Sequence, residues 1–250
     1  MTARIVWRRE QLIKENYNGS VRERKIMGFP GEDSPIENYS NIFYWSHIVS
    51  DYGGIVSERP VIGFEIITYV LRGCYESYNP KTDRWTLFQE GDVEVIQAGK
   101  GLKHKEKMHP DSEILKIWLD PDFNHFKKIP PAINQYWAGI FPTKIIEGIK
   151  CTILKGKGVS LHLNSEGIGM QINNYEPGYH KIVNNKDFTL SLYIIKGYMD
   201  INGKTLTYFD FYKVDDKAEI TIQALSQCKV FMLTSPLHPE YHMYNELNLI

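Results

Sequence analysis

From Ile66 to Glu106 the chain is cut into short segments by turn residues, and that punctuation leaves little room for anything but antiparallel sheet. Apolar and β-branched side chains fill Ile66–Leu71 and stop at Arg72-Gly73. Asn79-Pro80 marks a turn, Trp85–Phe88 reads as a second strand, and Glu90-Gly91-Asp92 as another turn. Val93–Ile96 is a third strand, followed by the tight loop Ala98-Gly99-Lys100-Gly101. Strands this short, separated by glycine and proline, hide their edges by closing on themselves as a barrel or sandwich. His104 and Glu106 follow the loop two residues apart. Side chains at i and i+2 of a strand share a face, so this pair can aim at one interior point.

The second half repeats the pattern. SLYIIKGYMDINGKTL at 191–206 resembles ITYVLRGCYES at 67–77, and aligning Gly73 with Gly197 pairs Tyr69 with Tyr193, Leu71 with Ile195 and Arg72 with Lys196. Asn202-Gly203 is a strong hairpin signal. Val93–Ala98 aligns with Glu219–Ala224, and Ile114–Leu119 with Lys229–Thr234 as a closing strand. The spacing predicts an internal duplication. The expected organisation is all-β, with one barrel over residues 1–125, a proline-rich crossover over 126–150 with a short helix near Ala132–Trp137, and a second barrel over 151–250.

Aromatic content of 13%, with 16 Tyr and 11 Phe, suits half-buried sheet faces. The 29 basic and 30 acidic residues give a net charge of -1, which speaks against direct binding to a nucleic-acid backbone. No apolar run reaches the length of a membrane span, and the N-terminal stretch shows no secretory signal. Cys74, Cys151 and Cys228 form no CxxC motif and are odd in number, which fits a reducing, cytoplasmic setting.

GFEIITYVLRG (63–73) followed by EGDVEVIQAGKGLKHKE (90–106) resembles the N-terminal signature of the pirin family, roughly H-P-H-R-G-F-E-T-x-T-Y-x-L-x-G and then G-D-x-x-x-M-x-A-G-x-G-x-x-H-S-E. The resemblance implies two jelly-roll (cupin) barrels in tandem. It also implies a metal in the first barrel, held by both histidines of H-P-H and by the later His and Glu, with dioxygenase activity on flavonols such as quercetin. This chain departs from the pattern: Arg59 and Val61 stand where the two histidines belong, and Ile62 where the family has arginine. His104 and Glu106 remain. By the same resemblance Glu65 is a third carboxylate; turned inward, it would complete a one-histidine, two-carboxylate set with His104 and Glu106. The guanidinium of Arg59 would alternatively neutralise these acids in place of a metal.

The candidate cavity is therefore Arg59, Val61, Glu65, Tyr69, His104 and Glu106, with no catalytic residue assigned; His104, Glu106 and Glu65 are the candidate metal ligands. The leading expectation is a bicupin without the usual metal centre that binds a small apolar or aromatic ligand or a protein partner. The alternative is a dioxygenase or isomerase using one Fe, Mn, Ni or Zn ion at Glu65, His104 and Glu106.

Overall fold

The structure is a computed structural model and describes residues 4–8, 12–17, 20–34 and 36–244. Its described residues divide into two compact units, one of 12–138 with 163–165 and 240–244, the other of 4–8, 139–162 and 166–239. Each is a β-sandwich closed around its own core, as the duplicated pattern predicts.

In the first unit two long strands set the architecture. Ile42–Val61 has 20 residues and pairs antiparallel with the 18-residue strand Leu102–Leu119 along most of its length. Twenty residues of straight strand would span about 65 Å at ~3.3 Å each, far more than one small domain can hold. The pair therefore bends, with register shifts at Ile42/Tyr44 and Ile55/Ser57. Leu102–Leu119 changes its other neighbour midway. Its first part pairs with Cys74–Asn79 and its second with Glu65–Arg72. The strand thus serves both faces of the sandwich, and residues from its two halves converge in the interior.

Gly73 makes that change of neighbour possible. Its φ is +72°, and a Cβ there would lie 2.4 Å from Ser112 Oγ and 2.9 Å from the Asp111 carbonyl. Gly197 plays the same part in the second unit, with φ +92° and a built Cβ 2.3 Å from the Gln227 carbonyl. Glu65–Arg72 shifts register between Val70 and Arg72, and Phe188–Lys196 between Ile194 and Lys196, which are equivalent positions once the two glycines are superposed. The duplication is thus carried down to a bulge.

One detail of the repeat differs from the sequence alignment. Val93–Gln97 pairs with Glu65–Arg72, and its topological equivalent is Phe211–Val214, which pairs with Phe188–Lys196. Glu219–Ala224 instead pairs with Gly178–Val183 and Met199–Ile201, as the first half of Leu102–Leu119 pairs with Ile42–Val61 and Cys74–Asn79. The shared Ile-Gln-Ala ending misleads here, because any half-buried strand can end that way.

The boundaries also differ from 1–125, 126–150 and 151–250. Ala132–Tyr136 is a strand rather than a helix and adds to the edge of Val93–Gln97; Arg4–Trp7 adds to Phe211–Val214 in the other unit. Thr143–Ile146 pairs with Ile149–Lys155. Open sheet edges recruit whatever extended chain is near, and local composition does not reveal which edge is open. The helical turns near this region are Phe123–Phe126, capped by Asp122, and the 3-10 turn Ala138–Ile140. The C-terminal tail packs in the first unit: the Tyr241 hydroxyl donates to the Asp120 carbonyl at 2.7 Å, and the Tyr244 ring lies 4.8 Å from that of Phe123.

Replacing Gly73 by alanine forces both the left-handed backbone and a contact onto Ser112. It should lower stability by roughly 1–3 kcal/mol in urea unfolding, while Gly139→Ala, where a Cβ meets nothing within 4 Å, should be near neutral. Equal effects would show that Gly73 is not the constrained point.

Candidate functional site

Glu94, His104, Glu106 and Lys116 come together in the interior of the first barrel, where a sandwich core is ordinarily apolar. Strand register delivers them. Thr68 faces Glu94 on one neighbour and Lys116 on the other. Ser77 faces Glu106 across the sheet, and His104 lies two residues earlier on the same strand. Glu94, His104, Glu106 and Lys116 are 1%, 3%, 2% and 5% exposed. Burial of this kind is tolerated only where charges are paired and hydrogen-bonded.

The pairing is extensive. Lys116 Nζ donates to Glu106 Oε2. His104 Nε2 lies 3.0 Å from Glu106 Oε1, the other oxygen of the same carboxylate, and 3.9 Å from Glu94 Oε2. Glu94 accepts from the Tyr75 hydroxyl at 2.9 Å and from the Ser77 hydroxyl. Neither ring nitrogen of His104 is aligned for a hydrogen bond.

Electrostatics follow from these contacts. Burial alone would raise the pKa of Glu106, but the Lys116 ammonium and then His104 hold it well below the ordinary carboxylate range. Burial raises Glu94, an effect only partly offset by His104, Ser77 and Tyr75. Burial would lower His104, yet the adjoining carboxylates of Glu106 and Glu94 reverse this, and its pKa lies above 6.5.

The second unit supplies an internal control. With Gly73 superposed on Gly197, strand register makes Thr68, Glu94, His104, Glu106 and Lys116 equivalent to Leu192, Tyr212, Ile220, Ile222 and Met232. All five of those residues belong to one hydrophobic core. This architecture closes without charge at these five points, so the charged cluster in the first barrel is not a requirement of the fold.

Of the sequence candidates, His104 and Glu106 meet in the cluster; Glu65 and Tyr69 do not. On Glu65–Arg72 the residue facing the cluster is Thr68, so period-2 alternation turns Glu65 and Tyr69 to the opposite face. Glu65 is consumed there as an acceptor. Gln97 Nε2, Asn164 N and Asn164 Nδ2 donate to Oε1 at 3.1, 2.8 and 3.1 Å, and Ser165 N and Oγ donate to Oε2 at 2.8 and 2.7 Å. Tyr69 is buried, and burial raises its phenol pKa. Val61 lies in a hydrophobic core with Phe43, Phe64, Ile66 and Trp118 rather than at a cavity mouth. Arg59 pairs with His104 through the backbone, and its side chain lies outside the described residues.

Glu94, Lys116, Tyr75 and Ser77 were not read from the sequence as site residues. The signal was an isolated charge inside each of two apolar strands, Glu94 in VEVIQ and Lys116 in ILKIWL. Charges of opposite sign in strands read as core imply a buried pair.

One imidazole and two carboxylates, from His104, Glu94 and Glu106, offer ligand atoms within 4.8 Å of one another, a donor set suited to Fe, Mn, Ni or Zn. Against this, the Lys116 ammonium is bonded to one of those carboxylates. As arranged, a divalent ion and Lys116 would compete for Glu106.

Two measurements separate the roles. Glu65→Ala removes an acceptor with five donors and should cost roughly 3 kcal/mol or more in urea unfolding without altering any ligand or metal binding by the cluster; altered binding would return Glu65 to the site. His104 has a raised pKa, so the stability it contributes is full below pH 6.5 and is lost as the pH rises through its folded-state value. The stability margin of wild type over His104→Gln should shrink accordingly above pH 6.5, and a margin independent of pH would mean the imidazole stays neutral.

The site lies inside a region that a family model described as Pirin matches, residues 37–119. Pirin-like protein 2 of Arabidopsis thaliana is 28% identical over 107 residues, covering 42% of this chain and 32% of that protein. A quercetin 2,3-dioxygenase of Escherichia coli strain K12 is 24% identical over 181 residues, covering 71% of this chain and 75% of the relative. The match to the first two plant relatives thus spans only about a third of their length, 32% and 36%. In fold the chain is similar to the bacterial pirin YhhW of Escherichia coli, solved in complex with nickel(II), with a TM-score of 0.74 at 19% identity over 94% of this chain and 99% of that one. The first barrel thus matches the pirin family model over residues 37–119, with Arg59 and Val61 at the two positions of the H-P-H histidines.

Proposed function

We propose that this pirin-like cupin is a small-molecule-binding protein in which a fixed ammonium has taken the place of the usual metal centre. The observation that carries this reading is the bond from Lys116 to Glu106 deep in the barrel. The sequence offered Arg59 as a fixed cation that would neutralise the acids; the reading here places that role on Lys116. The ligand is a small apolar or aromatic molecule, and His104, buried with ring nitrogens that make no hydrogen bond, is its polar anchor. A protein partner is the other occupant in keeping with the sequence. Three free cysteines favour a cytoplasmic setting, and among the described residues no helix is long and apolar enough to cross a membrane.

A second reading has specific support. Glu94, His104 and Glu106 converge closely enough to share one ion, and the similar Escherichia coli protein is a quercetin 2,3-dioxygenase. Under this reading Glu94 takes the part expected of Glu65. The metal would supply activation of dioxygen and substrate; Tyr75 and Ser77 would orient Glu94, and the barrel would exclude water from the reacting centre.

Metal analysis of protein expressed with added iron, manganese, nickel and zinc distinguishes the two. The first reading expects metal well below one equivalent in every case. One retained equivalent, together with quercetin consumption that His104→Ala abolishes in a folded protein, would establish the second.

A further inference from the structure

We infer that Glu94, His104 and Glu106 form a latent site for a divalent transition metal, and that Lys116 is the residue that keeps it closed. The inference rests on the metal-free reading above and adds to it a cause located in one side chain.

Four observations carry it. First, the three donors already converge, with ligand atoms within 4.8 Å of one another. Donors ~2.1 Å from one ion in a tetrahedral site lie about 3.4 Å apart, so the widest pair would close by at most about 1.4 Å. Second, His104 is 3% exposed, and neither ring nitrogen makes a hydrogen bond, although Glu106 and Glu94 lie within 3.9 Å of Nε2. The imidazole therefore already sits against the two carboxylates that would share an ion with it. Third, Lys116 meets Glu106 at Oε2 while His104 meets it at Oε1, so the ammonium takes up the second oxygen of a carboxylate the metal would need. It also adds a positive charge that repels an incoming cation. Fourth, the position equivalent to Lys116 in the second unit is Met232, which sits in a hydrophobic core. Methionine is therefore a side chain this architecture accommodates at that point, and it is about as long as lysine.

Without Lys116 the barrel would hold two buried carboxylates and no fixed cation among the groups of the cluster. That is an arrangement which burial penalises and which a divalent ion relieves. Tyr75 and Ser77, donating to Glu94, would then act as orienting partners behind the ligands.

The test compares wild type with Lys116→Met, both stripped with a chelator and titrated calorimetrically with nickel(II). Wild type should show no saturable uptake, and Lys116→Met should take up one equivalent and melt at a higher temperature when loaded. Adding Glu94→Gln or His104→Ala to Lys116→Met should weaken that uptake by about tenfold or more. A folded Lys116→Met that takes up no nickel overturns the inference and leaves the metal-free reading standing. Uptake of one equivalent by wild type overturns both. Uptake by Lys116→Met that His104→Ala and Glu94→Gln leave unchanged places the ion elsewhere and also overturns the inference. Should Lys116→Met not fold without metal, Lys116→Gln, whose amide still donates to Glu106, is titrated in its place. If neither folds, refolding with nickel(II) present becomes the measurement: recovery of folded protein supports the inference, and failure with both variants rejects it.

Discussion

The buried contact between the Lys116 ammonium and the Glu106 carboxylate is the interaction on which the character of the first barrel depends. Bringing two such ions out of water costs several kcal/mol each, and their attraction offsets this only when the geometry is good and the remaining donors and acceptors are occupied. Here Glu106 is held from both oxygens, and Glu94 is held by two hydroxyls. The cluster is thus one coupled unit. A change at any member alters the charge that the others can sustain, and the opposite pKa directions of Glu94 and Glu106 express that division.

The comparison between the two halves of the chain gives this cluster its meaning. The two units share a left-handed glycine, a bulge three to one residues before it and the same pairing of strands around it, so their backbones pose the same packing problem. One half solves it with Leu192, Tyr212, Ile220, Ile222 and Met232. The other places Thr68, Glu94, His104, Glu106 and Lys116 at the same points. The apolar solution is the less costly one for stability, and retention of the polar one in a single unit points to a role for that interior beyond closure.

Glu65 shows how a carboxylate near such a site can be entirely structural. It lies on a strand that contributes to the cluster, within a matching family segment, and yet it faces the other way and is saturated by Gln97, Asn164 and Ser165. A one-residue step along a strand separates the two roles, because each step reverses the face. Proximity in sequence to a recognised motif is therefore a weaker guide than the parity of a residue's position.

The sequence by itself determined the fold class, the duplication and the convergence of His104 with Glu106. These rest on local physics: turn residues delimit strands, glycine marks the point that needs a left-handed backbone, and i, i+2 residues share a face. It also exposed the replacement of the first two histidines by Arg59 and Val61. Only the tertiary structure decided which remote residues complete the centre. Lys116 and Glu94 reach Glu106 and His104 from the two neighbours of Glu65–Arg72, the second half of Leu102–Leu119 and Val93–Gln97, which are buried on both faces. Such strands carry no apolar–polar alternation, so the sequence gives no sign of which side faces the interior. The assignment of Ala132–Tyr136 and Arg4–Trp7 to sheet edges likewise depended on which edges stood open, a property of the assembled sheet and not of either segment.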